Sequence, residues 1–141
     1  MYLDSAYIAK FYLNEPDSPR VRRLIAGAGV LLSSMWALGE VTCAFHRHMR
    51  EGWLSDVQYR ALCRVFLEDV DAGNWTLIPV SERLLRQQVT LLIALPGTVH
   101  LRTGDAMHLT TAVDSGEREI WTSDRHLLAA AAHFGLVGRS A

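Results

Sequence analysis

The chain has 141 residues, half of them hydrophobic, with a formal net charge of −1. That length suits a single domain, 1–141, which buries roughly 68–70% of its unfolded surface and needs no disulfide or metal staple. A near-neutral charge argues against a polycation that coats nucleic acid, and no apolar run approaches the roughly 18 residues of a membrane-spanning helix.

Met1 to Leu3 is a short apolar run that stops at Asp4, and residues 5–13 (SAYIAKFYL) then read as a helix. Glu15-Pro16 breaks it, because the residue before proline avoids helical geometry. Asp17 or Ser18, with Pro19 at a first helical position, opens a second helix that runs through Ala26 and stops at Gly27. Val30 to Ser33 reads as a strand. A helix from about Met35 closes at Gly52, and Ser55 caps another that runs to about Asp71. TLIPV at 76–80 is the next strand. Ser81 to Leu95 and Thr103 to Ser115 are helical, ended by Pro96-Gly97 and Gly116. Glu119 to Ser123 forms a strand, Asp124 to Phe134 a helix, and Leu136-Val137 a last short strand.

Strands separated by helices imply crossover connections and a parallel sheet flanked by helices, an α/β fold. The helix pair at 35–71 is an insertion relative to a plain doubly wound pattern. Residues 1–15 carry Asp4, Lys10 and Glu15, which predicts no signal peptide and a cytoplasmic protein. Cys43 and Cys63 lie in helix-like sequence without C-x-x-C spacing, and read as two buried thiols.

Four acids fall at informative places. Asp4 and Asp124 each follow a strand, where open parallel sheets place their binding crevice. Asp105 sits in a first helical turn, and Glu40 lies one turn inside its helix among Trp36, Leu38, Val41 and Ala44. Each also has a plain structural explanation. Asp4 and Asp124 can cap helices, and Asp105 can answer a helix dipole. Glu40 is harder to explain so, since an acid amid apolar neighbours must be exposed, paired or bound to a cation. If the four converge, each pair of charges ~5 Å apart repels by about 3 kcal/mol at an effective dielectric of ~20. Lys10 is the only lysine, so a hard divalent cation such as Mg²⁺ or Mn²⁺ is the natural counter-charge. Waters on such an ion suit hydrolysis of a phosphodiester.

The runs Y-L-D-S-A-Y-I-A-K-F-Y-L-N-E-P (2–16), A-L-G-E-V-T-C-A-F (37–45), L-R-T-G-D-A-M-H-L-T-T-A (101–112) and W-T-S-D-R-H-L-L-A-A-A (121–131) together resemble the PIN-domain nucleases. The likeness is to the VapC-type toxins of toxin–antitoxin pairs. It spans nearly the whole chain, and its force lies in the four runs together. The resemblance implies a PIN fold and RNA cleavage with Mg²⁺ or Mn²⁺. Asp4, Glu40, Asp105 and Asp124 would then be the catalytic acids and metal ligands. Thr122 would orient Asp124, with Ser5 contributing beside Asp4. Ala6 departs from the family, which often has a hydroxyl residue there. The resemblance further implies a VapB-type antitoxin partner and a homodimer, for which Tyr7, Phe11, Tyr12 and Trp53 offer surplus aromatic surface.

Arg102, beside Asp105, and Arg47, seven residues beyond Glu40 on the same helical face, are candidates for RNA phosphate contacts. Arg47 also belongs with His46, His48 and Arg50 to a last helical turn, where the dipole alone favours cations. His46 and His48, two apart on a helix, do not face each other and make a poor metal pair. A receiver domain or a haloacid-dehalogenase-like phosphatase would need a late lysine that is absent. Within the PIN resemblance, the alternatives are a stand-alone RNA-processing nuclease and a non-catalytic PIN-like binding module.

Overall fold

Tyr2 and Leu3 point to opposite faces of one strand, as successive strand residues must, and both are fully buried. That alternation divides the core. In the computed structural model, which describes residues 1–141, Leu3 packs with Tyr7, Val41, Phe45 and Phe66 on one side of the sheet. Tyr2 packs with Leu109, Ile120, Leu127 and Phe134 on the other.

The elements alternate as the sequence implies: β1 (Tyr2–Leu3), α1 (Ser5–Tyr12), α2 (Ser18–Ala26), β2 (Leu32–Ser34), α3 (Ala37–Arg50), α4 (Asp56–Asp71), β3 (Thr76–Ile78), α5 (Glu82–Ile93), α6 (Thr103–Asp114), β4 (Glu119–Trp121), α7 (Arg125–Ala131) and β5 (Val137–Arg139). A 3₁₀ turn, Ala132–Phe134, extends α7. The five strands are all parallel, in the order β3-β2-β1-β4-β5. The chain therefore builds outward from β1 through β2 and β3, then returns to its other side for β4 and β5. Strand order reverses between β1 and β4, and a crevice at the carboxyl ends of those two strands is the expected binding place.

Local signals set most boundaries. Ser55 accepts from Gln58 N at 3.2 Å while Gln58 Oε1 accepts from Ser55 N at 2.8 Å, a complete capping box that starts α4. Ser81 caps α5 through Leu84 N. Gly135, at φ 73°, takes the left-handed conformation that ends the last helical turn.

Four expectations need correction. β2 begins at Leu32 and not Val30, which is 65% exposed. The Val30 carbonyl accepts from the Met1 nitrogen at 3.0 Å, outside the strand ladder, which pairs Tyr2 with Leu32. The last strand runs to Arg139, held in register against Glu119–Trp121. Cys43 is exposed and Cys63 half-buried, and both are free thiols. Finally, Tyr7 is buried, and Phe11 and Tyr12 join Phe45, Phe66 and Trp75 in an edge-to-face aromatic cluster. Of the four aromatics expected to supply surplus surface, Trp53 alone stays exposed.

Candidate active site

Asp4 leaves the end of β1 and caps α1, its Oδ1 accepting from Tyr7 N at 2.9 Å. Asp124, in the loop beyond β4, caps α7 by accepting from His126 N at 2.7 Å and Leu127 N at 3.2 Å. Asp105, in the first turn of α6, accepts from Arg102 N at 3.1 Å. The capping explanations of these acids are thus correct as far as they go. They leave open why three caps and a glutamate share one space.

That space is a cavity of about 470 Å³, lined by Asp4, Glu40, Asp105 and Asp124 together with Arg47, Arg102 and His108. It opens at the strand-order reversal. All four predicted acids and both predicted arginines line it. Lys10 does not, being bound to Asp17 at 2.5 Å and Ser123 at 2.7 Å. His46 packs edge-on against Tyr59 and His48 faces Glu15 at 3.4 Å, so neither reaches the acids.

Thr122 ties the two strand ends together. Its hydroxyl accepts from Asp124 N at 2.9 Å and donates to Asp4 Oδ2, so its proton serves Asp4 and not the Asp124 carboxylate. Ser5 donates to Glu40 Oε2 at 2.5 Å. The Glu40 carboxylate also meets His108 Nε2 at 2.9 Å, with the Trp36 side chain beside it.

Electrostatics differ among the acids. Burial foremost lifts the Asp4 carboxyl above its ordinary 3.8, and the nearby Glu40 charge adds a little to the lift, against the pull of Thr122, His108 and Tyr7. Asp105 is raised as well, by burial first and then by repulsion from Asp124 and Glu40. Glu40 goes the other way. Burial alone would raise it, but His108, Ser5 and Trp36 together hold it below its usual range. Asp4 and Asp105 thus stay raised although Arg47 and Arg102 line the same cavity.

No three His, Cys, Asp or Glu side chains stand close enough to cage an ion among themselves. An all-protein cage, as for Zn²⁺ or tightly bound Ca²⁺, does not fit. Mg²⁺ typically takes one or two carboxylates and keeps several waters, at ~30 Å³ each, and a cavity lined by hard oxygen donors suits that pattern.

Sequence reasoning missed two members of this site. His108, 2% exposed, lies one turn beyond Asp105 on the same face of α6. A histidine inside the apolar run A-M-H-L is the signal that could have found it. Gly104 is the other, since a Cβ there would strike Glu40 Oε1 and come within 3.3 Å of Trp36 Nε1.

Residues 1–133 match the family model described as PIN domain. Among solved structures the chain is similar to VapC20 of Mycobacterium tuberculosis, described as a toxin that cleaves the sarcin-ricin loop. The identity is 17% and the TM-score 0.69, over 92% of this chain and 93% of that one. It is also similar to VapBC2 of Rickettsia felis, bound to a DNA fragment from their promoter, at 12% identity and TM-score 0.69, over 99% and 97% of the two chains. At such identities the likeness is one of fold. No curated protein matches the sequence.

Proposed function

Because the chain belongs to the PIN-domain family, we propose that the acid cavity is the active centre of a divalent-metal-dependent endoribonuclease, the toxin of a toxin–antitoxin pair. The observation that carries this reading is the convergence of Asp4, Glu40, Asp105 and Asp124 on one cavity from positions spread along almost the whole chain. A parallel sheet brings the caps that follow β1 and β4 to one edge, but capping gives Glu40, inside α3, no reason to join them, and the gathered charges repel one another.

In this reading the carboxylates of Asp4, Glu40, Asp105 and Asp124 would hold Mg²⁺ or Mn²⁺, one or two of them directly and the others through the ion's waters. When bound, the ion supplies charge neutralisation at the phosphodiester and a water of lowered pKa. Thr122 fixes Asp4 relative to the Asp124 backbone, so that the two strand ends present their carboxylates as a unit. Ser5 holds Glu40. Arg47 and Arg102, on the cavity wall, receive RNA phosphates, for which the guanidinium fork is suited.

The partners follow from the same reading: an RNA substrate, a cognate VapB-type antitoxin and a second copy of the chain, all met in the cytoplasm. No helix is long and apolar enough to cross a membrane. The exposed stripe Leu85, Val89, Leu92 and Ile93 along α5 is the surface that supports a homodimer, in place of the buried aromatics.

Chelation tests the reading. RNA cleavage should disappear in EDTA and return with Mg²⁺ or Mn²⁺, leaving 5′-phosphate and 3′-hydroxyl ends. Cleavage that survives thorough chelation, or 2′,3′-cyclic phosphate products, would overturn it.

A further inference from the structure

His108 is buried at the floor of the acid cavity with every polar atom engaged. Its Nε2 lies 2.8 Å from Ser5 Oγ and 2.9 Å from Glu40 Oε2. Its Nδ1 lies 3.2 Å from the Tyr2 hydroxyl, with the two rings edge-to-face at 6.0 Å. Such a histidine could simply be a satisfied core residue, but the proton count argues for more.

Ser5 has one hydroxyl proton, and it goes to Glu40 Oε2 at 2.5 Å. A carboxylate only accepts. If Nε2 carried no proton, its lone pair would face a carboxylate oxygen at hydrogen-bond distance with nothing between them. Nε2 must therefore be the protonated nitrogen, its N–H shared by Glu40 and Ser5. On the far side, the wholly buried Tyr2 hydroxyl lies within hydrogen-bond reach of Nδ1 and can donate to it when that nitrogen is bare. The result is a chain from Tyr2 on β1 through His108 on α6 to Glu40 on α3. Trp36 and the bare backbone at Gly104 close the other side of the carboxylate.

We propose that His108 is a positioning residue, holding the Glu40 carboxylate in the acid cavity through its Nε2–H while Tyr2 fixes the imidazole from behind. The inference rests on the nuclease reading of that cavity. Glu40 reaches the site on a side chain with three rotatable bonds, whereas Asp4, Asp105 and Asp124 are each pinned by backbone N–H groups. Glu40 has no such backbone anchor among its hydrogen bonds, and side chains alone restrain it. Removing an outer group that orients a metal-site carboxylate typically costs 10–100-fold in metal affinity or activity.

The experiment compares the full-length parent with His108→Leu and His108→Gln, the glutamine amide being able to carry an N–H toward Glu40. Calorimetric Mn²⁺ titration, without RNA, should show binding weakened about 10–100-fold in His108→Leu and largely recovered in His108→Gln. In cleavage assays His108→Leu should lower kcat by a similar factor while KM for RNA stays nearly constant, with glutamine again restoring most of the loss. A leucine variant that binds Mn²⁺ and cuts like the parent would overturn the proposal. So would a folded glutamine variant as impaired as the leucine one, which would mean that packing alone is at stake. Should His108→Leu fail to fold, proton–nitrogen correlation NMR of the parent's imidazole decides: a proton on Nε2 supports the assignment, and a bare Nε2 ends it. If no chain cleaves RNA with any metal, the nuclease reading fails, yet the order of Mn²⁺ affinities and the position of the imidazole proton still test His108.

Discussion

Replacing Asp4 by Asn separates two roles that the structure shows in one side chain. Asp4 caps α1 through Oδ1, and Asn caps helices about as well as Asp. The cap should survive. What is lost is one negative charge in a cavity shared with Glu40, Asp105 and Asp124. A like charge ~5 Å away costs about 3 kcal/mol at an effective dielectric of ~20, so relieving part of that repulsion stabilises the metal-free fold. Against it, an amide facing Thr122 would deprive that hydroxyl of its acceptor, at a cost of about 1 kcal/mol. The net expectation in EDTA is a gain of about 1–2 kcal/mol, or roughly 3–6 °C in Tm for a chain of this size. The gain should depend on pH. Burial foremost raises the folded pKa of Asp4 above 3.8, so the folded parent binds that proton more tightly than the unfolded chain does. Its handicap is full above the raised folded value, shrinks as pH falls through that value, and is gone below the unfolded one. The advantage of Asp4→Asn should narrow accordingly on acidification.

Adding Mg²⁺ should reverse the order. An ion at a hundred times its Kd stabilises the folded parent by about 2.7 kcal/mol, and a variant that binds it weakly gains little. Differential scanning fluorimetry in EDTA and in a Mg²⁺ series, beside an RNA cleavage assay, reads both effects. Asp4→Asn should lose nearly all cleavage while staying folded. A folded Asp4→Asn protein that cuts RNA at the parent's rate with Mg²⁺ limiting would show that Asp4 is a cap and nothing more. A fall in Tm in EDTA would show that the four acids do not repel one another as argued.

Two further expectations follow from the site. Gly104→Ala should displace Glu40, because the new Cβ meets Oε1; a loss of activity of about 10-fold or more with the helix intact by circular dichroism is expected, and parent-like cleavage would refute the contact. Arg47→Ala and Arg102→Ala should each weaken RNA binding about equally across sequences and reduce the slope of log K against log salt by ~0.7, as expected for one lost contact to a single strand; an unchanged slope would place the arginine off the RNA path.

Much of this protein was legible because its signals are local. The capping box of Ser55 and Gln58, the breaks at Glu15-Pro16 and Gly52, and the strands between them depend on residues a few positions apart, and the α/β layout follows from their alternation. The acids could be picked out individually, since an Asp after a strand and a Glu in an apolar helix are anomalies of the sequence itself. Their meeting in one cavity is a tertiary fact, as are the choices of partner. Ser5 follows Asp4 in the chain, yet binds Glu40, and the proton of Thr122 goes to Asp4 across the sheet. Exposure was the least legible property. Cys43 and Tyr7 both sit on amphipathic helices, but only the tertiary packing of α3 and α1 decides that the first is exposed and the second is buried. His108 shows the division most clearly: its position on α6 is written in the sequence, but its work depends on β1, α1 and α3 arriving around it, and side chains 35 to 106 residues apart acquire a common hydrogen-bond chain only when the sheet brings their helices together.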